Sequence, residues 1–289
     1  MKSGTNQPAP IGVFDSGIGG FSVVQAMRAE LPAEPVLYVA DSAHLPYGSR
    51  SLAEVRRFSE GITRFLLARG AKLIVLACNT ASAAALHELR RLFPDVPFVG
   101  MEPAVKPAAA STVTGVVGVL ATPATFQGAL YASVVARFAR DKQVIESVCP
   151  GLVGRIEQGD LDGPRTRAIL ETALQPMLAQ GMDTVVLGCT HYPWVIPLIR
   201  EIVGPSVKVI DPAPAVARQV RAVLESRHLR RAEADSGIMS RFVTTGKAAE
   251  MARLTACLLR LEARPESAHW AGDRLEIGCR CRQRERARA

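Results

Sequence analysis

The chain has 289 residues, 48% hydrophobic, 21% charged and 5% aromatic, with a formal net charge of +8. That balance fits one large or two ordinary globular domains with a substantial core. No run reaches the roughly 18 apolar residues of a membrane helix, and the opening MKSGTNQPAP has no apolar stretch. Neither a membrane span nor a signal peptide is expected, which makes the cytoplasm the expected location. The basic tail CRCRQRERARA (279–289) and the cluster RHLRR (227–231) lack interleaved aromatics, so they read as solvated charge, the tail disordered, and not as a nucleic-acid platform. Six cysteines without a C-x-x-C pair form neither a disulfide scaffold nor a zinc knuckle. Cys149 and Cys257 read as small buried apolar residues.

Apolar, β-rich runs fall in order at 11–14, 36–40, 73–77, 96–99, 116–120, 184–187 and 207–210. The first leads into VFDSGIGG (13–20), where Asp15 and Ser16 end a strand and a glycine-rich turn opens a helix. That turn lacks the lysine of a nucleotide-binding P-loop. HLPYGSRS (44–51) reads as a loop turned at Pro46 and Gly48, and helical spacing follows over 50–69. The run at 73–77 ends in Cys78, then Asn79, Thr80 and Ser82, which suit helix capping and carboxylate binding. A second helical segment spans 164–180, and the run at 184–187 ends in Cys189, Thr190 and His191. Nearly all-apolar strands alternating with helices predict an α/β fold with mainly parallel sheets.

The order repeats. Gly12 to Cys78 is 66 residues and Gly118 to Cys189 is 71. From each cysteine to an acidic-proline pair is 24 residues (Glu102-Pro103) or 22 (Asp211-Pro212). Two similar α/β units are therefore expected, over 1–97 plus 209–278 and over 98–208. Each would carry a cysteine at the carboxyl end of a strand, the side on which open parallel sheets bind ligands. Two thiols across one cleft suit inversion of a stereocentre, one removing a proton while the other returns one. A one-thiol hydrolase with His191 as base and a binding protein without chemistry remain alternatives at this level.

The ordered motifs VFDSGIGG, YVADSAHLPYGSRS (38–51), VLACNTASA (75–83), GVLATPAT (118–125), VVLGCTHYP (185–193), VIDPAPAVA (209–217) and FVTTGK (242–247) resemble the cofactor-independent aspartate/glutamate racemases, on their glutamate branch. The resemblance covers about residues 10–260. It implies two Rossmann-like domains with the active site between them, and interconversion of L- and D-glutamate for peptidoglycan. It implies no cofactor and no metal, and often a homodimer. Cys78 and Cys189 match the catalytic thiols, taking the proton from D- and L-glutamate respectively. Asp15 and His191 match their assisting groups, and Glu157 an acidic residue near the second thiol. Asp15, Ser16, Tyr47, Gly48, Asn79, Thr80, Thr122, Thr190 and His191 match substrate-binding positions. The sequence departs from the pattern at His44, where many relatives carry arginine, and in CPGLVGRIEQGD (149–160), just around Glu157.

Overall fold

A computed structural model describes residues 8–231 and 240–278; the basic tail lies outside them. Four strands come first: β1 (Ile11–Asp15), β2 (Val36–Ala40), β3 (Leu73–Leu76) and β4 (Phe98–Gly100). Four more follow: β5 (Val116–Ala121), β6 (Gln143–Ser147), β7 (Thr184–Gly188) and β8 (Lys208–Ile210). The chain then returns with β9 (Arg241–Thr244), β10 (Glu266–Ala271) and β11 (Arg274–Ile277).

The first sheet runs β11-β10-β9-β2-β1-β3-β4 and the second β6-β5-β7-β8. Strand for strand, β2-β1-β3-β4 and β6-β5-β7-β8 have one order, and every pairing within them is parallel. The duplication read from the spacing is thus a duplication of topology. β4 pairs in the first sheet and β8 in the second. The crossings between the sheets therefore fall just after residues 100 and 210, slightly later than the spacing placed them.

The central strands β1, β3, β5 and β7 are buried at every residue, because helices cover both faces. On the first sheet these include α1 (Phe21–Glu30), α2 (Leu52–Leu67) and α3 (Asn79–Leu92). Then come α4 (Val105–Ser111), α5 (Pro123–Phe126), α6 (Ala129–Phe138), α7 (Leu152–Glu157), α8 (Pro164–Ala179) and α9 (Ile196–Val203). α10 (Ala213–Ser226) and α11 (Ala248–Leu259) close the order. The expected helices at 50–69 and 164–180 are α2 and α8. α2 starts at a full capping box, with Ser51 accepting from the Glu54 N–H and Glu54 from the Ser51 N–H. Among the described residues no helix is long and apolar enough to cross a membrane.

Two expectations need correction. Cys149 is buried but Cys257 is exposed, because it lies on the solvent side of α11, whose buried residues are Met251, Leu254, Thr255 and Leu259. Asn79, Thr80 and Ser82 do not cap α3. Cys78 does so itself, its Sγ accepting from the Ala81 N–H at 3.4 Å, while Ser82 Oγ takes the Met101 N–H and donates to the Leu76 carbonyl.

Leu170, Leu174 and Met177 on one face of α8 are fully or almost fully buried and cover the second sheet. Leu174→Ala is expected to lower unfolding free energy by about 2–5 kcal/mol, read as a fall in the urea midpoint with unchanged slope. A midpoint within error of the parent would mean that this face does not hold α8 in place.

Candidate active site

In each set of four strands the order reverses between two central strands, β1 and β3 or β5 and β7. The chain leaves these in opposite directions and opens a crevice at their carboxyl ends. Asp15 ends β1 and Cys78 lies just beyond β3; Thr122 follows β5 and Cys189 follows β7. The two crevices share one pocket. Of the twelve residues singled out from sequence, ten line it: Ser16, Tyr47, Gly48, Cys78, Asn79, Thr80, Thr122, Cys189, Thr190 and His191. Asp15 and Glu157 stand behind that wall. The pocket is narrow, with a volume of about 20 Å³, room for about one water molecule.

Asp15 has no solvent exposure. Its Oδ1 accepts the Ser16 N–H and its Oδ2 the Gly20 N–H, both at 2.7 Å. Thr190 Oγ1 reaches Oδ2 from the second half at 3.3 Å. Burial pushes the Asp15 carboxyl above the usual range, against the pull of the His191 charge, the Cys78 thiol and the Gly20 and Ser16 N–H groups. Cys78 lies beside it. Burial, reinforced by the Asp15 charge, holds the Cys78 thiol well above its ordinary pKa, so it rests as S–H with a carboxylate in reach.

The second thiol has a different partner. Cys189 Sγ is 3.9 Å from His191 Nδ1, and His191 Nε2 is 2.7 Å from Glu157 Oε1. With Nε2–H donated to Glu157, Nδ1 is left to accept the thiol proton. Burial favours neutral imidazole, but the Cys189 and Glu157 contacts outweigh it and hold the His191 pKa well above the ordinary histidine value. Glu157 Oε1 also accepts the Ile18 N–H at 2.8 Å, fixing the carboxylate across the two halves.

The DSGIGG turn makes room for this chain of groups. A Cβ on Gly17 would overlap Glu157 Oε1, and one on Gly19 would overlap the His191 ring. These glycines serve close approach by a carboxylate and an imidazole, not a phosphate cradle. Cys189 differs from Cys78 in a further respect: a short 3-10 turn (Tyr192–Val195) precedes α9, so this thiol does not cap an α-helix.

Polar groups suited to a small anionic substrate complete the wall. Asn79 is 3% exposed, and neither its Oδ1 nor its Nδ2 has a hydrogen-bond partner. A buried amide with both ends open normally meets a partner, and here it faces the space between the thiols' sheets. Thr80 and Thr122 hydroxyls meet at 2.9 Å, and Thr122 meets Thr125 at 2.9 Å. His44 takes no place in the pocket; its ring stacks on Phe58 at 3.8 Å. Sequence reasoning passed over Pro46 and Val153, which also line the pocket. It also passed over Ser22, whose hydroxyl reaches the Thr190 carbonyl at 3.2 Å. Pro46 was read as a turn residue, and Val153 lies within the quoted stretch 149–160. Val153 and Ser22 carry no local signal, since their place at the site comes from tertiary packing. Among the described residues no cluster of His, Cys, Asp and Glu has the make-up of a metal site.

Residues 11–220 match the family pattern described as Asp/Glu/Hydantoin racemase. Glutamate racemase of Pseudomonas paraeruginosa is 55% identical over 252 residues, covering 87% of this chain and 94% of that one. The Escherichia coli glutamate racemase structure in complex with L-glutamate superposes with a TM-score of 0.79 at 31% identity, over 94% of this chain and 100% of that one. The Francisella tularensis glutamate racemase structure in complex with D-glutamate gives 0.78 at 30% identity, over 91% and 97%. Two thiols at equivalent strand ends of a duplicated sheet, and likeness over almost the whole length of such relatives, lead to one assignment: the chain belongs to the Asp/Glu/hydantoin racemase family, among its glutamate racemases.

Proposed function

We propose that this chain racemises glutamate by passing the α-proton between Cys78 and Cys189, and that it supplies D-glutamate for peptidoglycan as a cytoplasmic enzyme. The observation that carries the mechanism is that two thiols from equivalent strand ends of opposite sheets line one pocket, each with its own proton acceptor. A one-thiol hydrolase leaves Cys78 and Asp15 without a task.

In the L-to-D direction, Cys189 Sγ takes the α-proton, having passed its own proton to His191 Nδ1. Glu157 balances the imidazolium so formed. The resting Cys78 S–H then delivers its proton to the opposite face of the α-carbon, and Asp15 helps restore that thiol in exchange with solvent. The reverse reaction interchanges the roles. One proton leaves carbon and one returns. The pattern at rest, with Cys78 protonated and Cys189 beside an imidazole that favours its protonated form, is already set for L-glutamate.

The α-proton of an amino acid is a weak acid, so charge developing on the α-carboxylate needs donors already in position. The open Asn79 amide and the hydroxyls of Thr80 and Thr190 are assigned that task, with Ser16 and Asp15 at the ammonium group and Thr122, Tyr47 and Gly48 along the wall. The pocket is narrow, about 20 Å³, and we assign substrate entry to a parting of the two sheets followed by closure. Closure excludes water and strengthens the same electrostatic contacts.

Cys78→Ser and Cys189→Ser are each expected to lower kcat for racemisation by roughly 10²–10⁴-fold, followed by chiral chromatography with no cofactor added. Full turnover in either variant would sink the two-thiol scheme. Glu157→Gln removes a charge that raises the His191 pKa. The imidazole should then titrate at lower pH, read from histidine ring proton shifts. L- and D-glutamate have equal free energies in water, so kcat/KM must fall by one factor in both directions. An unmoved His191 titration would mean that Glu157 does not balance the imidazolium.

A further inference from the structure

Asp41 lies just past β2 and takes no part in the proton transfers above, yet it is fully buried and meets four potential donors. Its Oδ2 accepts the Tyr47 hydroxyl at 2.7 Å and faces His44 Nδ1 at 2.9 Å. Its Oδ1 accepts Thr245 Oγ1 at 2.9 Å and Trp270 Nε1 at 2.8 Å. An ionised carboxylate offers about four acceptor positions, and here each is used. The Asp41 N–H also donates to the Asp15 carbonyl at 3.0 Å, so the hub sits one ladder rung from the carboxylate beside Cys78.

The donors arrive from three parts of the chain. His44 and Tyr47 belong to the loop after β2, and Thr245 follows β9. Trp270 belongs to the β10–β11 hairpin, which lies beyond the 11–220 match to the family pattern. The indole is seated by packing: its ring is 5.8 Å from Phe58 of α2 and 5.3 Å from His44. At the other end of the hub, Tyr47 is 1% exposed and lines the pocket. Burial and the Asp41 charge keep the Tyr47 phenol protonated. Its single proton is therefore committed to Asp41, and the wall formed by Pro46, Tyr47 and Gly48 is held by that bond.

We propose that Trp270 is a positioning residue: through its indole N–H it fixes Asp41, and Asp41 fixes Tyr47 and the 46–48 wall against which an amino-acid substrate binds. This rests on the racemase reading of the pocket. The hairpin thereby acts on substrate binding from a sheet edge. It touches neither thiol, so proton transfer in the bound complex is unaffected.

The test uses the full chain, with L- and D-glutamate as probes. In Trp270→Phe, which keeps an aromatic ring but loses the donor, KM should rise roughly three- to tenfold for both enantiomers while kcat stays within about twofold. The pH profile of kcat should not move. A chain with β-(3-benzothienyl)alanine in place of Trp270 keeps the shape, exchanges N–H for sulfur, and should show the same KM rise. In a Tyr47→Phe background, Trp270→Phe should add less than about twofold, because the ordered hydroxyl is already gone. An unchanged KM with the isostere, or a rise with Phe that the isostere does not reproduce, would assign Trp270 to packing and overturn the proposal. Independent, multiplicative effects in the double variant would overturn it too. A parent chain that does not racemise glutamate would overturn the racemase reading instead.

Discussion

Asp15 is a carboxylate with no exposure to water, and the surrounding site is arranged to satisfy it. The Ser16 and Gly20 N–H groups, at the start of the turn into α1, occupy its two oxygens. Thr190 then reaches in from the other sheet. A buried charge without such partners would cost several kcal/mol. Satisfying Asp15 therefore requires both the glycine-rich turn and the approach of the second half. The same rule governs Glu157, which is shared between the Ile18 N–H and His191. One buried and one half-buried carboxylate thus bind the halves together at the point where the thiols face one pocket.

The duplicated frame carries unlike chemistry. The strand orders match one to one, and the thiols occupy equivalent strand ends. Their helpers do not. Cys78 has a carboxylate from the neighbouring strand β1, whereas the register puts Ala121 at the equivalent position of β5, followed by Thr122, which is bonded to Thr80 and Thr125. In the proposed scheme Cys189 takes its help from His191, two residues on, and through it from Glu157 on α7. A site that must act on two mirror-image substrates need not be mirror-symmetric itself. Each thiol needs only an acceptor that takes its proton and a surrounding that tolerates the resulting charge. In the proposed scheme one side does this with a carboxylate, the other with an imidazole backed by a carboxylate.

That asymmetry also marks what the sequence can disclose. Buried central strands are nearly all apolar, so the runs at 11–14, 73–77, 116–120 and 184–187 stand out, and the residues that end them stand at the pocket. β6, β9 and the β10–β11 hairpin were not read as strands. β9 has only four residues; β6 and the hairpin are partly exposed, and half-exposed strands carry polar residues such as those of QVIES and ESAHWA. Glu157 could be placed only by resemblance, because α7 stands where the first half has the 3-10 turn Tyr47–Ser49, and the two segments share no sequence pattern. Asp41 was legible as part of a motif but not as a hub: its partners Thr245 and Trp270 lie about 200 residues away in sequence, a distance over which local pattern carries no information.

The contacts between the halves are of two kinds. Apolar packing joins them behind the site, where Ile18 and Phe21 share a core with Leu152, Ile156 and Leu187. At the pocket the crossing contacts are polar: Thr80 with Thr122, Ser22 with the Thr190 carbonyl, and Ile18 with Glu157. Separating apolar surface exposes it to water at full cost, whereas a hydroxyl pair exchanges its bond for one to water or substrate at little net cost. Opening is therefore easiest at the Thr80–Thr122 side, with the apolar core acting as the pivot. The same two hydroxyls are then free to meet an incoming carboxylate, so the contact that closes the resting pocket and the contact that receives substrate are made by the same atoms.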